Sequence, residues 1–461
     1  MRRNQTPPWK KRKAKQIKPV TKPVDSTPIQ VVVASVGHQG DGIAALDPEK
    51  FNGATQAFIP NTLPDEEVII TPKAHTKFGI DAELGEVITP SPHRQKAQCQ
   101  VADHCGGCQT QIMADQFYQD WKFEAVKNIL APLDIPEESW RQTFTVKEKS
   151  RRRARLAYRH TASGIICGFR ERKSHQIIAP QGCVILNESL MTCVEALQHD
   201  ILPALSVKSL GEVTITDTDQ GWDITLHPEA MPSHDEIAGM INGASERPVA
   251  RLSLAEKDGL VTPHFTKRAP TLTWSHEDGK TLTLFPAPGS FLQVDSKAEK
   301  VMQSDILHSI KGYEKVLDLF CGSGTLSLPL LMQDKLPTLI HGYDSGDDAL
   351  EAMQASAKAA DAYHRVNVTR QNLFKDPITT DEINRYDAVI VDPPRAGAST
   401  LMPALADSNV RRIMMVSCNP QTFTRDASVL CKGGYECSHI RMIDQFLKTP
   451  HAELVAQFDR T

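Results

Sequence analysis

Residues 316–325 read Val316-Leu-Asp-Leu-Phe-Cys-Gly-Ser-Gly-Thr325, and no other stretch limits the possible folds so strongly. It is an apolar strand ending in a glycine turn, with a helix expected to follow. Comparable strands recur at Leu339–Tyr343, Ala388–Val391 and Ile413–Ser417, with helical stretches between the earlier ones. Buried strands alternating with helices imply a parallel, doubly wound sheet, which binds ligands in a crevice at the carboxyl ends of its strands. Gly322 and Gly324 let the backbone turn sharply and approach a ligand closely. The second strand closes on Gly342-Tyr-Asp344, so Asp344 offers a carboxylate to ribose hydroxyls. A fuller phosphate-binding glycine loop is missing, which favours a nucleoside cofactor such as S-adenosylmethionine over a dinucleotide.

Two later segments reach the same crevice. Val391-Asp-Pro-Pro-Arg-Ala-Gly397 follows the third strand, and its proline pair stiffens the loop, placing Asp392 between cofactor and substrate. Val416-Ser-Cys-Asn-Pro420 ends the next strand and brings Cys418 to the same edge. A cysteine there suits methylation at carbon 5 of uracil, a poor nucleophile until a thiolate adds at carbon 6 and converts the ring to an enolate. The carbon 5 proton must then leave to a base. Glu453, in Thr449-Pro-His-Ala-Glu453, is the candidate, although spacing alone gives it the place of a surface acid.

At 461 residues the chain is long enough for two to four domains, and no apolar run approaches the length of a membrane span. Its basic N-terminus runs into polar, proline-containing sequence, unlike a secretory signal, so a cytoplasmic enzyme is expected. Residues 1–24 carry nine Lys or Arg and no acid, within a net charge of -4 for the whole. Such a tail has little to bury and reads as disordered, either a solubilising extension or a phosphate-binding arm. Short strands at Ile29–Val33, Gln56–Pro60, Glu67–Thr71 and Leu84–Ile88 suggest a small closed barrel of the kind that holds single-stranded nucleic acid.

Ten cysteines in such a chain argue for reduced thiols. Cys99, Cys105 and Cys108 cluster, and with Cys183 they supply four thiolates able to bind zinc or an iron–sulfur cluster; spacing does not separate the two, and zinc is the commoner structural metal. Arg151, Arg152, Arg153 and Arg155 lie between them, either as a solvated charged face or as a phosphate and base contact.

Together these motifs resemble the RNA uracil-5 methyltransferase family, the tRNA and 23S rRNA enzymes, from residue 28 to the C-terminus. The resemblance implies an α/β multidomain chain: a basic tail at 1–27, an OB-like TRAM RNA-binding barrel at 28–92, a mixed α+β iron–sulfur and RNA-binding domain at 93–285, and a Rossmann-like class I methyltransferase domain at 286–461. A helix at about 113–133 is expected to pack on the last of these. Ser290-Phe-Leu-Gln-Val294 matches a cofactor segment and implicates Gln293; Phe320, Asp344, Asn372 and Asp392 match further cofactor positions beside Gly322, Gly324 and Thr325. Ser417-Cys-Asn-Pro420 matches the nucleophile motif, and the His-x-Glu ending makes Glu453 the family base. Thr325 stands where the rRNA enzymes commonly have Asn, and Asp344 replaces Glu. The cysteine spacing resembles the [4Fe–4S] site of the 23S rRNA branch, which reverses the preference for zinc. The expected activity is 23S rRNA (uracil-C5) methylation, of the uracil-1939 type, on a flipped uridine, with no obligate protein partner and no membrane. tRNA methylation, or a non-catalytic RNA-binding factor on the same fold, are the alternatives.

Overall fold

A computed structural model describes residues 24–460 except 173, 277, 278, 334 and 336. All nine basic residues of the N-terminal tail, read above as a disordered extension, lie outside the described residues. The chain forms two compact units divided between Arg94 and Gln95.

The first unit is a closed barrel of β1 (Ile29–Val36), β2 (Gly42–Ala45), β3 (Gln56–Ile59), β4 (Glu67–His75) and β5 (Ile80–Thr89), in the order β1-β2-β3-β5-β4. Alternate residues along the strands point inward, and Val33, Ala44, Ala57, Ile59, Val68, Ile70, Ile80 and Ala82 fill the interior. Gly79 turns the β4–β5 hairpin where a Cβ would lie 2.3 Å from the Gln56 carbonyl oxygen.

The second unit begins with α1 (Asp115–Leu130) and the two-residue strand β6 (Phe144–Thr145). Next come β7 (Arg153–Thr161), β8 (Gly164–Arg170), β9 (Ile177–Ile178), α2 (Glu188–Ala196), β10 (Leu210–Thr218) and β11 (Gly221–Pro228). The chain continues through α3 (His234–Ser245), β12 (Val249–Ala255), β13 (Val261–Thr266) and the hairpin β14 (Leu272–Ser275)–β15 (Thr281–Leu284). β7 to β13 make a seven-stranded sheet, β13-β12-β11-β10-β7-β8-β9, with α2 and α3 supplying Leu190, Val194, Met240 and Ala244 to its core.

The remainder alternates: α4 (Ser296–Ser309), β16 (Lys315–Leu319), β17 (Leu339–Asp344), α5 (Asp347–Ala359), β18 (Val366–Arg370), α6 (Thr380–Ile383) and β19 (Ala388–Val391). It ends with α7 (Met402–Ala406), β20 (Arg412–Ser417), α8 (Pro420–Lys432), β21 (Tyr435–Asp444) and β22 (Glu453–Arg460). The sheet runs β18-β17-β16-β19-β20-β22-β21-β6. Strands β16 to β20 are parallel, and β22 enters antiparallel to both β20 and β21. Chain order reverses between β16 and β19, the switch point at which a crevice opens. The four strands expected from the sequence lie within a residue of their predicted positions. The helix expected after the glycine turn does not form: turns lead into a short 3-10 helix, Leu328–Met332. Pro329 sits in its first turn and cannot donate, and Ser323, Thr325 and Ser327 upstream are weak helix formers.

Helix α1 buries Tyr118, Lys122, Val126 and Leu130, one stripe at intervals of four. Val126 and Leu130 join the core between the sheet and α8, so this helix packs on the catalytic layer although it lies over 160 residues away in sequence.

Candidate active site

A cleft of about 570 Å³ opens at the carboxyl ends of β16, β17, β19 and β20. Its wall holds Gln293, Phe320, Gly322, Thr325, Asp344, Asn372, Asp392, Cys418 and Glu453. Phe320, Gly322 and Thr325 arrive together on the turn after β16, and each of the others on a segment of its own. Phe320 leaves β16 with φ of 63°, a conformation disfavoured for a non-glycine residue and common at ligand sites. Gly322, at φ 52°, has nothing within 4 Å of where a Cβ would stand, so its backbone is open to a ligand. Its N–H donates to Asp344 Oδ2 at 3.1 Å, and Gly346 N–H donates to Oδ1 at 2.9 Å, which fixes the carboxylate beneath the turn. Gly324 departs from its expected role. It does not line the cleft, and a Cβ there would strike Met353 Cγ at 2.8 Å and Leu328 Cγ at 2.9 Å.

The Asp392 loop is bolted to the loop of Cys418. Asn419 Nδ2 and Thr422 Oγ1 both donate to the Arg395 carbonyl, at 3.2 and 3.3 Å, and Arg425 donates to the Ala396 carbonyl at 3.0 Å. Gly397, at φ 77°, allows the close approach, since a Cβ would stand 2.4 Å from Asp426 Oδ2. Asn419 caps α8 through its side chain and Pro420 takes the first helical position, so Cys418 sits just before a helix N-terminus.

Burial dominates the charge state of the cleft. It raises the Cys418 thiol to about 11, helped by Glu453 and Asp392 and opposed by Arg395. Asp392 rises from 3.8 to about 7 through burial. Glu453, 2% exposed, is held well above 4.5 by burial and by Asp392, with a hydrogen bond from Gln445 acting the other way. Asp318, on β16 beneath the cleft, also reaches about 7. The sequence reading gave no role to Asp318, Gln445 or Phe291. Phe291 was visible inside the matched segment: its ring lines the cleft, is 62% exposed and lies under the Arg153 guanidinium at 5.3 Å.

The four arginines separate. Arg152 is buried, pairs with Glu299 at 2.8 Å and donates to the Gln293 carbonyl at 3.2 Å; its charge is matched inside the protein, against the expected phosphate contact. Its N–H also holds the Val294 carbonyl at 2.8 Å, so it anchors the Gln293 segment. Arg151 donates to the Arg153 carbonyl at 2.9 Å, and burial lowers its pKa. Arg155 remains largely exposed and pairs with Glu212 at 2.6 Å.

All ten cysteines are free thiols. Cys99, Cys105, Cys108 and Cys183 are electrostatic neighbours: burial raises Cys108 to about 12, and the other three thiols push it the same way. Among the described residues, no three His, Cys, Asp or Glu side chains are grouped to hold a metal ion. The donor set therefore has the right chemistry for a soft metal centre without converging on one point.

The sheet order and the cleft at its switch point define the second unit as an S-adenosylmethionine-dependent methyltransferase fold. Comparison with known proteins agrees. The profile of the tRNA (Uracil-5-)-methyltransferase family matches residues 351–460. The 23S rRNA (uracil(1939)-C(5))-methyltransferase RlmD of Alteromonas naphthalenivorans is 30% identical over 456 residues, 97% of this chain and 93% of that one. An uncharacterised RNA methyltransferase of Agrobacterium fabrum is 30% identical over 443 residues, 93% of this chain and 99% of that one. The crystal structure of Pyrococcus abyssi tRNA (uracil-54, C5)-methyltransferase with S-adenosyl-L-homocysteine superposes with a TM-score of 0.71 at 22% identity, covering 93% of this chain and 99% of that one. The chain belongs to the RNA uracil-5 methyltransferase family. Among the described residues no helix is long and apolar enough to cross a membrane.

Proposed function

We propose that this chain methylates carbon 5 of a uridine in 23S rRNA, of the uracil-1939 type, with S-adenosylmethionine as donor. The observation that carries the reading is the meeting of Cys418, Asp392 and Glu453 in one cleft with the Gly322 turn. Gln293, Phe320, Gly322, Thr325, Asp344 and Asn372 would hold the cofactor, whose sulfonium supplies an electrophilic methyl group when bound. The cleft's open backbone at Gly322 and its fixed carboxylate at Asp344 fit a nucleoside.

Cys418 Sγ adds to uracil C6, and the electron pair of the C5=C6 bond moves toward C5 and O4. Carbon 5 is then nucleophilic and would take the methyl group, the S–CH3 bond of the donor breaking with its electron pair left on sulfur. Glu453 next takes the C5 proton; the freed pair rebuilds C5=C6 and expels the Cys418 thiolate. Burial raises the thiol to about 11, so thiolate formation depends on positive charge nearby. Arg395 favours that step. Phe291 offers the flipped base a flat apolar face.

The preference for rRNA rests on the RlmD relative and on Cys99, Cys105, Cys108 and Cys183, which we read as the ligands of a [4Fe–4S] cluster that organises the domain instead of taking part in the chemistry. RNA contact falls to the barrel, to Arg153 and Arg155, and to the basic tail; tRNA methylation is the second reading, favoured by the matched family's name. Transfer of a tritiated methyl group to bulk rRNA and tRNA from a deletion strain separates the two. Cys418→Ala should abolish transfer and leave cofactor binding intact; retained turnover refutes the assignment.

A further inference from the structure

Glu453 does not stand alone in its pocket. Gln445 lies in the loop between β21 and β22, 2% exposed, and its amide nitrogen donates both to Glu453 Oε2 at 2.9 Å and to Gln293 Oε1 at 2.7 Å. Two acceptors on one nitrogen fix the orientation of the amide. They also leave Gln293, whose oxygen is engaged, with its own amide nitrogen as the donor end at the cleft it lines.

The loop is held from behind. Tyr118 OH donates to Asp444 Oδ2 at 2.7 Å and accepts from Lys448 N–H at 3.0 Å. Lys122 Nζ donates to Asp444 Oδ1 at 2.6 Å and to the Phe446 carbonyl at 3.3 Å. Gln109 and Thr110, directly after Cys108, donate their N–H groups to the Lys448 carbonyl at 3.0 and 3.2 Å. Residues 444–448 are thus clamped on both sides of Gln445.

We infer that Gln445 is a positioning residue for proton removal: it ties the proton acceptor Glu453 to the cofactor-side Gln293, and Tyr118 and Lys122 hold it in place through Asp444. The inference rests on reading Glu453 as the acceptor. It assigns Gln445 to the second half of the reaction, in which the C5–H bond breaks, the proton passes to Glu453, the pair re-forms C5=C6 and the S–C6 bond is broken. Formation of the adduct should not need it. Asp392 beyond β19 bears on Glu453, Glu453 and Arg395 bear on Cys418 beyond β20, and His451 lies two residues before Glu453. Since Gln445 favours the carboxylate form of Glu453, its loss should move the rising limb of activity to higher pH.

The test uses the full chain, S-adenosylmethionine and rRNA from a deletion strain, following adduct formation and breakdown separately on denaturing gels. Gln445→Met should slow breakdown about tenfold, the factor expected for one lost hydrogen bond to a charged group, leave formation unchanged and shift the pH profile upward. Tyr118→Phe, which preserves packing, should slow breakdown in the same direction. Equal slowing of both steps, or of neither, overturns the inference. Glu453→Gln is the reference: if it accumulates adduct while the Gln445 and Tyr118 variants turn over normally, only the positioning role falls. If it accumulates none, the reading of Glu453 falls and this inference with it.

Discussion

Asp318 stands on β16, buried, and Asp392 just past the end of the neighbouring β19, partly exposed at the cleft; loss of water around them raises each from 3.8 to about 7. Below pH ~4 the folded and unfolded chains both carry these protons. Between there and about 7 the folded form keeps protons that the unfolded form has lost, so their contribution to stability is full at low pH and disappears as the pH rises through about 7. Asp318→Asn removes the titration at a position outside the cleft wall. Its melting temperature should exceed that of the parent chain at pH ~8, and the gap should narrow at pH ~4.5; a gap of equal size at both contradicts the argument. The same burial reaches the chemistry, because Glu453 accepts a proton only as carboxylate. Activity should climb with pH well above the ordinary carboxylate range. The sequence announced Cys418 and Asp392 by their place after buried strands. Glu453 was legible only through its family motif, and nothing in the composition marks Gln445 or Asp318, whose importance comes from burial.

Helix α1 is a case where helical spacing over 113–130 predicts an element but not the charge buried in it. Its apolar spacing was plain, yet the buried stripe contains Lys122, a residue type almost never interior without a partner. The partner, Asp444, lies 322 positions away, at the end of β21. Lys122→Met should therefore cost about 3–5 kcal/mol in chemical denaturation, since it leaves a buried carboxylate without its counter-ion; a loss below about 1 kcal/mol would mean that the pair is replaceable. The parallel strands β16, β17, β19 and β20 could be found because strands covered on both faces read as apolar runs. Strand β21 mixes Glu436, His439 and Arg441 into its pattern, and β6 has two residues; both are set by long-range pairing that local sequence does not encode. The arginine run misled for a related reason. Arg152 and Arg155 have the same composition signal, and only packing distinguishes a guanidinium matched by Glu299 from one facing water.

For the molecule as a whole, the short strands of a barrel and the alternating strands and helices of a doubly wound sheet could be read from the sequence, because each repeats its own period over many residues; the seven-stranded sheet between them could not. What it could not give is the wiring between them within the second unit. Cys108 is followed by the two N–H groups that hold the Lys448 carbonyl, and Lys149 and Arg151 donate to the Val184 and Ile185 carbonyls beside Cys183. The cysteine segments are thus hydrogen-bonded to Lys149 and Arg151, beside the Arg152 that holds the Gln293 segment, and to the loop before Glu453. If these thiols hold a [4Fe–4S] cluster, anaerobically purified protein should contain about four iron and four sulfide per chain. Zinc without iron or sulfide would contradict that reading.

The central claim is covalent catalysis by Cys418 with proton removal by Glu453. Glu453→Gln keeps the shape of the pocket and its hydrogen bond from Gln445, but cannot take up the proton. Incubated with S-adenosylmethionine and rRNA from a deletion strain, it should accumulate a protein–RNA species that survives denaturation, is lost in the Cys418→Ala background and carries the transferred methyl group. Full turnover by Glu453→Gln, or an adduct that persists without Cys418, would contradict it.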